Sequence, residues 1–556
     1  SMRACDVAVG DLTGDGFDDV VLCQSRTLDM FTTESLIYRG GPDGASPEPK
    51  RLTTQDARRA FLIRSPSHKL PDIAFVNRFS RHASRAVDSY IYYGGPDGFS
   101  PERRDEIPAT RPVGSLTFDL DDDGYPDILF ANSSLSTMEH DSGCYVLLNG
   151  PDGFPDRPSI VLPSTRAHSV VCADLNRNGY LDVIIGGYMN PELLVYHDTA
   201  DGLDVAHPQR IRMELNGLLY DDVRTMCIVD LNNDGWLDLV VPQVSSDRSF
   251  ILWGGPEGFS MDRLKELSIR HAGQAQAADL TGNGYADLIM GGGQSGRTGP
   301  HGSYAYIYWN GPDGLSEDNR TMLPANAVSK LGVADFNNDG TLDLLVCCYH
   351  AGTVRDIDSY IYWNREGKGF SDADRMRFFT HSASGAMVAD FNEDGWTDMA
   401  IANHKIEGDH VGDSTVWWNG PDGFDERRVT GLPTLGPHGM VTIDPGNIVD
   451  RGPEEFYVSQ SLALPADASP ASISWEAEIP PKTWVRAQIR FAGSQTDLEA
   501  ADWTGPQGPD TWFENGDPLP ETAQGQWVQY RLALGATNSL GTPRVTRVDL
   551  TYSLGP

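Results

Sequence analysis

Residues 5–431 are a succession of short apolar runs separated by polar, glycine-containing turns. Runs such as Ile128-Leu-Phe-Ala, Val170-Val-Cys172-Ala and Leu345-Val-Cys347-Cys348 are too short for helices and rich in branched residues, which predicts strands. The first is preceded directly by Asp119-Leu-Asp121-Asp-Asp123-Gly124-Tyr-Pro-Asp127, and that polar stretch recurs. Copies begin at Asp11, Asp119, Asp174, Asp230, Asp279, Asp335 and Asp390. Successive steps from Asp119 are 55, 56, 49, 56 and 55, and the step from Asp11 to Asp119 is 108, two periods. The missing copy is Phe61-Leu-Ile-Arg64-Ser-Pro66-Ser-His68-Lys-Leu-Pro-Asp72-Ile-Ala-Phe, which aligns without gaps on 116–130. Its strand positions survive, while Arg64, Pro66 and His68 stand where the others carry oxygen ligands.

A second signature keeps step with the first. An aromatic-containing run leads into a Gly-Pro-Asp-Gly turn, as in Ile37-Tyr-Arg-Gly-Gly-Pro42-Asp-Gly and Tyr90-Ile-Tyr-Tyr-Gly-Gly-Pro96-Asp-Gly. Proline fixes φ early in such a turn and glycine supplies positive φ later, so it joins antiparallel strands. Each repeat therefore reads strand A, acidic loop, strand B, variable loop, strand C, tight turn, strand D. Four strands in a radially repeated unit of this length predict a β-propeller blade. The expected fold is all-β: an eight-bladed β-propeller over 1–435, a connector over 436–452, and a small β-sandwich over 453–556. A run at Gly439-Met-Val-Thr-Ile-Asp444 resembles a ninth strand A. Alternating runs near Trp475, Ile489, Tyr530 and Leu550 supply the sandwich strands.

Asp-x-Asn-x-Asp-Gly-x-x-Asp followed by an apolar strand resembles the FG-GAP, or VCBS, repeat of integrin α-subunit heads and bacterial secreted proteins. The resemblance implies a calcium-binding propeller of secreted, periplasmic or cell-surface location, with seven blades as the alternative count. The last hundred residues resemble sandwich modules of secreted carbohydrate-active proteins, which implies a carbohydrate-binding module or a structural cap.

Composition narrows the function. Net charge is -36, which excludes a nucleic-acid partner, since phosphate recognition needs a basic surface. No apolar run reaches the length of a membrane span. Ser1-Met2 reads as a remnant of cloning, which leaves room for a removed signal. Seven cysteines without a CxxC pair, mostly inside strand runs, predict small buried hydrophobes rather than zinc ligands. A monomer is expected.

Loop positions one, three, five and nine offer all-oxygen sets that suit Ca²⁺ better than Mg²⁺. They are Asp11, Thr13, Asp15 and Asp19; Asp119, Asp121, Asp123 and Asp127; Asp174, Asn176, Asn178 and Asp182; Asp230, Asn232, Asp234 and Asp238. The series continues with Asp279, Thr281, Asn283 and Asp287; Asp335, Asn337, Asp339 and Asp343; Asp390, Asn392, Asp394 and Asp398. Seven structural Ca²⁺ would offset 14 of the 36 negative charges.

In a four-stranded blade the acidic loops and tight turns share one face, and the variable B–C loops and D–A connections share the other. Ten of 13 histidines map to the variable face. Convergence at the channel mouth makes His168, His381, His404 and His438, with Tyr188 and Tyr349, candidates for proton transfer. Arg166, Arg224, Arg248, Arg270, Arg355, His271, His350 and Lys330 are candidates for holding an anionic substrate. The expected partner is an anionic poly- or oligosaccharide. The expected activity is that of a polysaccharide lyase or, with a carboxyl pair from that face (Glu139, Asp141, Glu192, Asp247, Asp356 or Glu407), a glycoside hydrolase. The alternative is a non-catalytic glycan-binding or adhesion propeller.

Overall fold

Strand runs of one repeat hydrogen-bond to each other in chain order, giving antiparallel four-stranded sheets throughout the repeat region. The computed structural model describes residues 3–554 except 16, 18, 26–29, 42–45, 47, 64–67, 69, 80–86, 96–97, 122, 134–142, 294–301, 393, 405–411, 435–453, 466–467, 480–482, 499, 510, 521–523 and 537–542. The proposed ninth strand A and His438 therefore lie outside the described residues. Two compact units emerge: 1–176 with 180–231 and 236–449, and 450–556 with 177–179 and 232–235. The protein is all-β, and its described helix is limited to the single turns Arg365–Gly367 and Gln495–Leu498.

In the first unit, eight four-stranded sheets begin with the strands Arg3–Gly10, Ala57–Ile63, Pro112–Phe118, Ala167–Ala173, Cys227–Val229, Gln274–Ala278, Val328–Ala334 and Ala383–Ala389. An added hairpin, Glu214–Leu215 with Leu218–Leu219, stands between the fourth and fifth. Second strands are buried on both faces, as in Asp127–Asn132 and Asp343–Cys348, which accounts for their continuous apolar sequence. Apolar clusters bridge neighbouring sheets. One joins Leu129 and Val146 of the third to Val170 and Val183 of the fourth, and another joins Val20 and Leu36 of the first to Ala400 and Val416 of the eighth.

A buried tyrosine at the end of strand C reaches the preceding sheet. Tyr92 donates its hydroxyl to the Thr53 carbonyl at 2.6 Å and Tyr362 to Pro324 at 2.6 Å. Tyr38 of the first sheet donates to Pro433 of the eighth at 3.2 Å, so the same bond that joins consecutive sheets also joins the two ends of the series. Asparagines in the tight turns add a second link. Asn310, Asn364 and Asn419 donate to the carbonyls of Leu231, Leu280 and Phe336 in the sheet before, at 2.6–2.7 Å.

Of the six described cysteines, five are buried and Cys227 is half-buried, matching their strand sequence. The tight turns need glycine where the chain doubles back. A Cβ on Gly254 would run into the Leu237 carbonyl oxygen, and one on Gly94 into that of Pro71. Gly254→Ala should therefore lower stability by about 2–3 kcal/mol. Gly311, whose Cβ would meet open space, should tolerate alanine within about 0.5 kcal/mol in the same denaturation experiment.

In the second unit, Thr483–Ala492 and Glu454–Val458 flank Trp527–Ala536, and Ala468–Glu478 pairs separately with Arg544–Leu554. Ile473 and Trp475 pack with Val485, Ile489, Phe513 and Leu532 in one core drawn from both sheets.

Candidate functional site

The acidic loops are built on their ninth residue. That aspartate is almost fully buried, and each of its oxygens accepts a backbone N–H. In the seven acidic copies Oδ2 takes the amide of loop position two, from Leu120 at 2.8 Å to Phe336 at 3.2 Å. Oδ1 takes an amide of the tight turn some twenty residues on, at 2.7–2.9 Å. One carboxylate thus ties the A–B loop to the C–D turn. Asp72 of the emptied copy keeps the Gly94 amide at 2.8 Å, and its other oxygen meets His68 Nδ1 at 2.6 Å.

Burial without a cation penalises the ionised form. Desolvation raises Asp19, Asp343 and Asp398 to about 6 and Asp127 and Asp287 to about 7, despite the opposing backbone bonds. The residues fit a hard cation. Carboxylate oxygens of Asp119, Asp121 and Asp127 lie within 4.8 Å of one another. Buried Oδ1 of Asp119 and Oγ1 of Thr13 have no hydrogen-bond partner among the described residues, as expected of atoms facing an ion. Position-one and position-five carboxylates are shaped by their own loop: Asp335 Oδ2 accepts from Gly340 N at 2.9 Å, and Asp394 Oδ1 from Trp396 N at 2.9 Å.

The opposite ends of the sheets are organised by a recurring left-handed corner. Asp56, Arg111, Arg166, His271, Ala327 and Ser382, all in D–A connections, have φ of 45–55°. A side-chain-bearing residue adopts this region at a cost of about 1 kcal/mol or more. Tyr188, Tyr349 and His404 donate their backbone N–H to the carbonyls of Arg166, Ala327 and Ser382, at 3.1, 3.1 and 3.2 Å. These three side chains therefore occupy the same place in the fourth, seventh and eighth sheets. A β-bulge follows each corner in most sheets, and His168 is the extra residue of the fourth.

The described contacts gather the candidate residues into two groups. At the fourth and fifth sheets, the His168 and Tyr188 rings lie 6.3 Å apart, and the Arg224 guanidinium stands 5.0 Å from the Tyr188 ring centre. Arg224 is held by Asp222 at 2.7 and 3.1 Å, so its charge is already matched. Desolvation first, then Arg224 and Arg78, depress His168 to about 4, which makes it a neutral imidazole near pH 7. At the seventh and eighth sheets, buried Tyr349 lies 5.4 Å from His350 and 5.6 Å from His404, both also buried. Arg355 stands 4.7 Å over the Tyr349 ring and reaches Ser382 Oγ at 3.3 Å. Among the described residues no carboxylate pairs with Arg355. Beside it, His381 Nδ1 lies 2.6 Å from Asp356 Oδ1.

Other candidates are dispersed. Arg248 is exposed and faces Glu266 at 3.8 Å, Arg270 is exposed, and His271 Nδ1 donates to the Val244 carbonyl at 2.9 Å. Lys330 is buried in strand A next to the seventh bulge. Sequence reasoning did not identify Asp222 or Ser382. Asp222 had a signal, since an Asp two residues before an Arg on an extended chain shares its face.

Residues 119–185 and 279–346 match a family model described as FG-GAP-like repeat, so the chain carries FG-GAP-like repeats in these two places. Such repeats commonly bind calcium, in keeping with the acidic cluster at Asp119. Integrin alpha-3 of Cricetulus griseus and that of Mus musculus are each 28% identical over 141 residues, 23% of this chain and 13% of the integrin. The match thus spans a small fraction of those relatives. Two solved structures are similar. One, described as the basis of recognition of non-reducing terminal N-acetylglucosamine by an Agrocybe aegerita lectin, is 17% identical at TM-score 0.38, covering 77% of this chain and 94% of that one. The other, the V. cholerae biofilm matrix protein Bap1, is 12% identical at TM-score 0.40, covering 72% and 85%. No helix among the described residues is long and apolar enough to cross a membrane.

Proposed function

We propose that this chain is a secreted or cell-surface, calcium-binding, eight-bladed β-propeller with an appended β-sandwich, acting as a monomer that binds an anionic poly- or oligosaccharide. Loop positions one, three, five and nine, with the carbonyl of position seven, would hold Ca²⁺ in seven repeats. The ion supplies positive charge that pins each loop, and it takes no part in chemistry at the opposite rim. One observation carries the binding site: Arg355 over Tyr349, flanked by His350 and His404. Tyr349 fixes the guanidinium from one side, and a guanidinium with no carboxylate partner among the described residues suits a uronate or sulfate group.

Binding to polygalacturonate and chondroitin sulfate should weaken about tenfold or more in Arg355→Ala and fall with added salt, while neutral glucans give no comparable salt dependence. Titration calorimetry on the calcium-loaded protein measures this. Absence of binding to any anionic glycan overturns the reading.

The Asp356–His381 pair favours a second reading, catalysis by elimination. A carboxylate on Nδ1 fixes the proton there and leaves Nε2 as the basic atom. Nε2 would take the C5 proton of a uronate, the C4–O bond would break as the C4–C5 double bond forms, and the resulting imidazolium would return that proton to the departing oxygen. Of the carboxylates offered for hydrolysis, Asp356 is committed to the imidazole, and Glu139, Asp141 and Glu407 lie outside the described residues. Unsaturated ends absorbing in the ultraviolet should accumulate with the wild-type protein and disappear in His381→Ala, with glycan binding retained. Binding without new unsaturated ends in any polysaccharide leaves a glycan-binding or adhesion propeller.

A further inference from the structure

The second repeat lacks the ligand residues of the other copies, and a cavity lies beside its His68 and Asp72. A space of about 220 Å³ lies between His68 and Asp72 of this repeat and the tight turn of the third sheet, and its described lining includes Tyr93, Asn149, Asp152 and Phe154. At about 30 Å³ per liquid water this is room for about seven waters, the size of one sugar ring with its hydroxyls. Its polar groups are of both kinds. His68 Nδ1 is taken by Asp72, which leaves Nε2 as its second hydrogen-bonding atom. Tyr93 donates its hydroxyl hydrogen to Asp105 at 2.6 Å, so that oxygen can only accept. Asp152 offers an exposed carboxylate on the turn. The Tyr93 and Phe154 rings supply apolar wall, with Tyr93 set edge-on to His68 at 5.3 Å.

We propose that the space between His68, Asp72 and Tyr93 of the second repeat and the tight turn of the third sheet binds one neutral sugar ring. Hydroxyls that donate and accept match a carboxylate, a phenol oxygen, an amide and an imidazole, and the ring's C–H face matches the aromatic wall. Acidic Asp152 and Asp72, with no arginine or lysine among the described lining residues, disfavour an anion. A metal is disfavoured too: among the described residues only Asp119, Asp121 and Asp127 bring three ligand atoms into ion-binding range. The pocket lies on the acidic-loop side, away from the Arg355 group, and stands independently of the function proposed above.

Ligand-observed saturation-transfer NMR on the calcium-loaded protein, with glucose, galactose, mannose and fucose at millimolar concentration, tests the pocket. At least one sugar should show transfer in the wild type, reduced at least fivefold in both Asp152→Ala and His68→Ala. Asp152 is exposed on a turn, so that variant should keep the wild-type melting temperature even where His68→Ala does not. Arg355→Ala separates the two sites: transfer retained there places binding at the second repeat, and transfer lost there places it at the rim and overturns the pocket. No transfer from any of the four sugars, or transfer unchanged in Asp152→Ala, also overturns it.

Discussion

Metal-free protein should melt about 10 °C or more below the calcium-loaded protein at pH 7.5, and only a few degrees below it at pH 5. The size follows from seven loops, each adding about 2.7 kcal/mol when calcium stands at a hundred times its dissociation constant, spread over a large cooperative unit. The pH dependence follows from the ninth-position aspartates. Without an ion, burial holds five of them at about 6 to 7, above the ordinary aspartate value of 3.8. A carboxyl with a raised folded value binds more protons folded than unfolded. Its favourable contribution is complete below about pH 4 and is lost as pH rises through 6 and 7. Calcium removes that loss by favouring the ionised form, so its stabilisation should grow across this window. Dialysed protein with calcium added back, scanned by calorimetry at pH 5, 6 and 7.5, gives the comparison without depending on a chelator's own protonation. Equal calcium effects at pH 5 and 7.5 would mean that these aspartates are ionised throughout.

The period and the polar loop positions carried most of what was legible in the sequence. An all-β chain followed from runs too short for helices, and the FG-GAP-like repeat from Asp119–Asp127 and its copies. Some things escaped. One is the second duty of the ninth aspartate, whose partner amide lies across two strands and a turn; the spacing shows a ligand, and only the sheet register shows the tie. A clue was present, since Asp72 persists where Arg64, Pro66 and His68 have replaced the other ligand positions. Another is which cations are available. Arg224 and Arg355 look alike as loop arginines beside a tyrosine, yet Asp222 engages one and Ser382 the other. The left-handed corners were equally hidden, because Asp, Arg, His, Ala and Ser fill them and no glycine marks the conformation.

Asp72→Ala isolates the tie from the ion, because its repeat retains no acidic set to bind calcium. The substitution should destabilise the protein by about 3 kcal/mol while leaving calcium stoichiometry unchanged. Asp72 is 2% exposed, and its removal takes the acceptor from the half-buried Gly94 amide and from exposed His68 Nδ1–H. A largely buried donor left without its acceptor costs about 1–3 kcal/mol, and losing the bond to exposed His68, whose N–H turns to water, adds only a little. Asp127→Ala should cost a similar amount in metal-free protein, since Leu120 and Asn149 lose the same carboxylate. In calcium it should cost more, because the third loop also loses its ion. Asp72→Asn keeps an acceptor for Gly94 at nearly constant shape and should recover about half of the loss. Urea denaturation of the three variants with and without calcium, beside a calcium count by equilibrium dialysis, distinguishes the two roles. If Asp72→Ala stays within about 0.5 kcal/mol of the wild type, the ninth aspartate is a ligand alone and its persistence in the emptied repeat needs another cause.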